Sequence, residues 1–131
     1  AGGIKRFLTG TPGVVSMKSL EAALTAFEGV TLDQLRRKSV SLTSLFIELW
    51  RDELAPLGFT LGSPEDPDHR GSHVALGFER GKDLVEALSE QGVIADFRPP
   101  NLMRFGFSAL YNSHSDVVKL ATILAEHAVH R

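Results

Sequence analysis

The chain of 131 residues contains no cysteine. Disulfides, thiolate metal sites and a cysteine nucleophile are therefore excluded, and the composition fits a cytoplasmic protein. Trp50 and Tyr111 are the single copies of their kinds. An excess of one charge is missing too. The formal net charge is −2, and the only basic cluster, Arg36-Arg37-Lys38, falls in a helical stretch. No bulk attraction to nucleic acid or to an acidic membrane is expected. No apolar run approaches the roughly 20 residues of a membrane span. The chain has no Gly-x-Ser-x-Gly elbow and no Gly-Lys-Ser/Thr after a glycine-rich loop. His69 and His73 stand four apart, as two helical metal ligands would. Gly71 between them and the nearby Pro64 and Pro67 argue against a helix there, so no metal site is expected.

Hydrophobic residues make up 43% and charged residues 23% of the chain, the balance of one ordinary globular domain covering residues 1–131. Leu20, Ala23, Leu24 and Phe27 fall on one helical stripe, which predicts a helix over 16–28 that stops at Gly29. Thr31 and Gln34 then fit a capping box. It opens a long helix to about Leu54 whose buried side is Leu35, Leu42, Leu45, Phe46 and Leu49. Pro56 and Gly58 end it. Phe59 to Leu61 suggests a short strand. Ser63 to Asp68 is a polar loop within the domain. Val74, Leu76 and Phe78 alternate as in a half-buried strand. A helix over 82–91, a strand over 93–97 and a turn over 98–101 follow. Ser113 and Asp116 form a second capping-box pattern, opening a last helix with Val117, Leu120, Ala121, Leu124 and Ala128 inward. The fold class is α+β, with a small, mostly antiparallel sheet covered by helices on one face.

Two stretches carry candidate chemistry. In Met103-Arg104-Phe105-Gly106-Phe107, alternation puts Met103, Phe105 and Phe107 on the buried face and Arg104 on the other, beside the bare Gly106. A guanidinium on a rigid strand can grip a planar carboxylate through two parallel hydrogen bonds. From spacing alone, an ordinary surface arginine on an edge strand is the commoner outcome. Gly10-Thr11-Pro12-Gly13 precedes the first helix. Freed amides, a hydroxyl and a helix N-terminus can hold a phosphate, although such a segment is more often a plain turn. Asp96 and Arg98 suit a local surface ion pair, the commoner outcome, or Arg98 lines the mouth of a site. His114 belongs on the surface, and His127 and His130 near a helix C-terminus. Tyr111 suits a core or interface position, and Trp50 an interdomain contact.

Arg104-Phe-Gly-Phe followed by Leu110-Tyr111-Asn112 resembles the C-terminal signature of kynureninases. Three more segments agree in order and spacing: Arg6-Phe7-Leu8-Thr9-Gly10-Thr11-Pro12, Arg70-Gly71-Ser72-His73-Val74-Ala75-Leu76 and Gly92-Val93-Ile94-Ala95-Asp96-Phe97-Arg98. Kynureninases are pyridoxal 5'-phosphate (PLP) hydrolases with the aspartate aminotransferase type of fold, so the resemblance implies the C-terminal small domain of a fold-type I PLP enzyme. It implies a homodimer that cleaves L-kynurenine to anthranilate and L-alanine, within tryptophan catabolism and NAD biosynthesis. Arg104 takes the position that pairs with the substrate α-carboxylate. Thr11 takes the position that contacts the PLP phosphate across the dimer interface, and Gly10 lets the backbone approach. None of Lys5, Lys18, Lys38, Lys82 and Lys119 stands in a context like that of the family's cofactor-binding lysine. The chain is thus expected to be the C-terminal part of a larger enzyme, paired with its own N-terminal large domain and inactive alone. The alternative is a stand-alone α+β interaction or dimerisation module without chemistry.

Overall fold

The computed structural model describes residues 2–7 and 9–129. Leu8 of the first motif and His130 lie outside the described residues. The chain divides into two compact units, Ala1–Thr31 and Leu32–Arg131. The polar loop at 63–68 lies within the second.

In the first unit, helix α1 (Val14–Leu24) runs into a 3-10 turn, Thr25–Phe27. Gly29 ends the segment with φ +76°, a left-handed conformation that a side chain would strain. The expected apolar stripe forms, but none of the α1 residues is buried. Leu20 and Leu24 remain 52% and 55% exposed.

The second unit begins with α2 (Leu32–Leu49), which continues through one π-helical turn, Trp50–Leu54, and a 3-10 turn, Ala55–Leu57. Gly58, at φ +97°, stops it. Strands β1 (Thr60–Leu61), β2 (His73–Gly77), β3 (Asp96–Arg98) and β4 (Leu102–Gly106) form one antiparallel sheet in the order β1-β2-β4-β3. Helix α3 (Gly81–Glu90) lies between β2 and β3 in sequence, and α4 (His114–Val129) closes the chain. This is the expected α+β architecture. The second capping box forms as read: Ser113 N–H donates to Asp116 Oδ2 at 2.8 Å, and Asp116 N–H to Ser113 Oγ at 3.3 Å.

The core lies between one face of the sheet and the helices. Val74 and Phe105 pair across β2 and β4, as do Leu76 and Met103. All four are buried, in one cluster with Leu42 and Phe46 of α2, Leu84 and Leu88 of α3, and Val117, Leu120 and Leu124 of α4. Phe46 packs on Phe105 edge-on at 5.6 Å and on Phe107 at 5.2 Å between ring centroids.

The structure differs from three expectations. On α2, Leu35, Leu45 and Leu49 are only half-buried, while Ser39, Thr43 and Ile47 are buried. The buried stripe is rotated because polar residues on it find partners: Ser39 Oγ donates to Ser72 Oγ at 2.8 Å, and Thr43 Oγ1 to Ser39 O at 2.9 Å. Strand β2 is buried from Val74 to Gly77 rather than half-buried. It is an inner strand between β1 and β4, and Ala75 on its second face is buried as well. The third strand is shorter than 93–97. Val93 N–H bonds Leu88 O at 3.0 Å and so belongs to the close of α3. Trp50 is half-buried against the core of its own unit, and its indole N–H donates to Phe59 O at 3.0 Å.

Phe46→Ala should destabilise the chain by about 3–5 kcal/mol, the usual cost of emptying a phenylalanine site in a packed core. Urea unfolding measures this. A loss below about 1 kcal/mol would mean that the Phe46–Phe105–Phe107 contact does not hold the sheet to the helices.

Candidate functional site

Strand β4 is an inner strand, with β2 on one side and β3 on the other. Arg104 is therefore not an edge residue. Met103 and Phe105, its neighbours in sequence, are buried towards the helices, so Arg104 stands on the opposite face of the sheet. Its cross-strand partners are Ala75 on β2 and Asp96 on β3. The arginine side chain is 37% exposed. Gly106, two residues on, is open: a Cβ built there meets nothing within 4 Å.

Asp96 organises this face. Its Oδ2 accepts from Arg104 Nε at 2.8 Å and also from Arg104 Nη2. The same oxygen accepts from Arg98 Nε at 3.1 Å. The local Asp96–Arg98 pair is thus present, but Arg104 is the closer partner. The hydrogen bond from Arg104 is the main cause that holds the Asp96 carboxyl below its ordinary pKa, with the charges of Arg104 and Arg98 adding to it. Two guanidiniums facing one carboxylate leave this patch with one net positive charge, the sign that attracts an anion.

Gly10 and Thr11 belong to the other unit, Ala1–Thr31. Both are exposed, and a Cβ on Gly10 meets nothing within 4 Å. Gly13 caps α1 without a side-chain hydrogen bond, and the first turn of the helix carries no acid. This leaves backbone donors and the favourable end of the helix dipole without a competing carboxylate.

Of the other candidates, His69, His114 and His127 have partners within the protein. His69 Nδ1 lies 2.9 Å from Asp66 Oδ2, and His114 Nε2 2.7 Å from Ser41 Oγ. Among the described residues, no group of three or more His, Cys, Asp or Glu could hold a metal ion. Tyr111 is 79% exposed rather than part of the core. It borders an open hollow of about 360 Å³ with His73, Gly106 and Ser108. A second hollow of about 230 Å³ also reaches Gly106 and is bordered by Gly92, Asn112, Asp116 and Lys119.

Arg70 is the buried charge that sequence reasoning missed. Its guanidinium donates to Thr43 Oγ1 at 3.2 Å, to Ser44 Oγ at 2.7 Å and to the carbonyls of Pro64 and Glu65. Burial, with Arg36 nearby, lowers its pKa from the usual arginine value. It ties the 63–68 loop to α2. The run of hydroxyls at Ser39, Thr43 and Ser44 on one helix face was the available signal.

Residues 35–124 match the family described as the kynureninase C-terminal domain. A kynureninase of Pseudomonas fluorescens is 41% identical over 124 residues, which cover 95% of this chain and 30% of that protein. A kynureninase of Deinococcus radiodurans is 42% identical over 117 residues, covering 89% of this chain and 28% of that protein. This chain therefore spans less than a third of the relatives it matches. A solved structure titled NifS-like protein superposes with a TM-score of 0.67 at 18% identity, over 97% of this chain and 37% of that one. The matched part of that chain shares the fold.

Since the folded pKa of Asp96 is depressed, the stability it contributes is complete above the unfolded carboxylate value of about 4 and is lost as pH falls through the lower folded value. Asp96→Asn should be less stable than the parent at neutral pH, and the difference should shrink below about pH 4. Urea midpoints across the acid range test this. A gap that stays constant down to full protonation would contradict it.

Proposed function

This chain belongs to the kynureninase C-terminal domain family, and from that premise we propose that the polypeptide carrying it is a PLP-dependent hydrolase that cleaves L-kynurenine to anthranilate and L-alanine. The observation that carries this reading is Arg104, a partly exposed guanidinium on an inner strand, next to an open glycine, within a patch of net positive charge.

In this reading Arg104 binds the substrate α-carboxylate. A bidentate arginine fixes both the orientation and the charge of an amino acid, so that the bond to be broken is held at the right angle to the cofactor ring. The strand supplies the rigidity, because Met103 and Phe105 lock its other face into the core. Gly106 leaves room for the substrate beside it.

The residues near Gly10 fit the phosphate end of PLP. Thr11 brings a hydroxyl, Gly10 an unshielded backbone, and α1 an acid-free first turn. In the homodimer Thr11 would serve the partner's cofactor. When bound, the cofactor supplies the electron sink for cleavage of the Cβ–Cγ bond. None of the five lysines is buried, and none is proposed as the covalent anchor. That lysine, and the acid for the pyridine nitrogen, are assigned to an N-terminal large domain of the same polypeptide. Residues 1–131 together act as the C-terminal domain, inactive by themselves. A cytoplasmic setting is part of the same reading; no helix among the described residues is long and apolar enough to cross a membrane.

Arg104→Lys in the PLP-loaded full-length protein is the test. A point charge replaces a planar fork, so KM for L-kynurenine should rise roughly tenfold or more, the equivalent of about 1.4 kcal/mol or more, while the visible absorbance of bound PLP persists. Unchanged kinetics would remove the carboxylate assignment.

A further inference from the structure

Arg104 cannot use all of its donors for a substrate. A guanidinium presents two bidentate edges, the side edge formed by Nε and Nη2 and the end edge formed by Nη1 and Nη2. Asp96 Oδ2 takes the side edge, accepting from both Nε and Nη2. Among the described residues, the protein gives Arg104 Nη1 no hydrogen bond. The strand register explains the arrangement, since Asp96 stands directly across from Arg104 in the β3–β4 pair. Arg98 holds Asp96 from the other side at 3.1 Å and shares the face, because residues 96 and 98 alternate with Phe97.

We propose that Asp96 is a positioning residue: it clamps the side edge of the Arg104 guanidinium and thereby turns the end edge towards the incoming carboxylate. This deepens the carboxylate reading of Arg104 and rests on it. One oxygen anchors the arginine without neutralising the patch, because Arg98 supplies the compensating cation. An arginine already fixed in its binding rotamer loses less side-chain entropy when it meets its ligand. Without Asp96 the flexible side chain would sample rotamers that face away, and the open space at Gly106 would do nothing to stop it.

The experiment is a double-mutant cycle in the PLP-loaded full-length protein, using Asp96→Ala, Arg104→Ala and both together, with L-kynurenine as substrate. Asp96→Ala should lower kcat/KM about tenfold, within the coupling range of touching residues. Nearly all of that change should lie in KM, with kcat held within about threefold. In the Arg104→Ala background, Asp96→Ala should change kcat/KM by no more than about twofold. Asp96→Asn keeps an oxygen facing Arg104 but loses the charge, so it should fall between the parent and Asp96→Ala. It also carries the comparison if the alanine variant does not fold. If Arg104→Ala lowers kcat/KM and neither Asp96 variant does, the positioning role is wrong and the carboxylate reading stands. An equal loss from Asp96→Ala in both backgrounds would also overturn the proposal, since Asp96 would then act independently of Arg104. If Arg104→Ala itself leaves kcat/KM unchanged, the carboxylate reading fails and the clamp fails with it.

Discussion

Phe46 meets Phe105 and Phe107 in the core, and this contact decides where every side chain of β4 points. In a strand, a residue committed to one face commits its neighbours to the other. With Met103, Phe105 and Phe107 drawn into the helix layer, Arg104 has to emerge on the far side of the sheet. The same commitment passes across the ladder. Val74 and Leu76 face inwards opposite Phe105 and Met103, so Ala75 and Asp96 share a face with Arg104. The candidate site is the reverse side of the hydrophobic core. Loosening the core would therefore loosen the site.

Electrostatics then refines what packing has placed. An exposed ion pair between Asp96 and Arg104 adds little to stability. Its effect is geometric. It selects one of the two edges of the guanidinium, and Arg98 keeps the local charge positive. Arg70 shows the contrasting use of the same side chain. It is buried, donates to hydroxyls and carbonyls, and ties a loop to α2. Chemically identical groups have become a structural tie and a binding candidate because one is enclosed by oxygen acceptors and the other faces solvent.

The alternation of Met103, Phe105 and Phe107 was legible because each inward residue is apolar, and the Ser113–Asp116 box because capping is local. The burial of Ser39 and Thr43 was not legible. Their letters are polar, and their partners, Ser72 and Arg70, are about 30 residues away in sequence. The clamp on Arg104 was half legible. Asp96 was paired with Arg98, two residues along, whereas its closer partner lies across the strand pair. That register is set by the 98–101 turn and the packing of Phe97, which composition does not encode. The exposure of α1 was not legible either, since its stripe looks like that of a core helix. Gly10 and Thr11 were singled out through family resemblance; composition alone leaves them a turn.

Whether this chain serves a kynureninase is measured most directly by catalysis in the polypeptide that carries it. The native protein, purified with its full length and supplied with PLP, should show the visible absorbance of bound cofactor and release anthranilate from L-kynurenine. A native polypeptide that binds no PLP and yields no anthranilate would contradict the account, leaving this fold as shared ancestry without the shared chemistry.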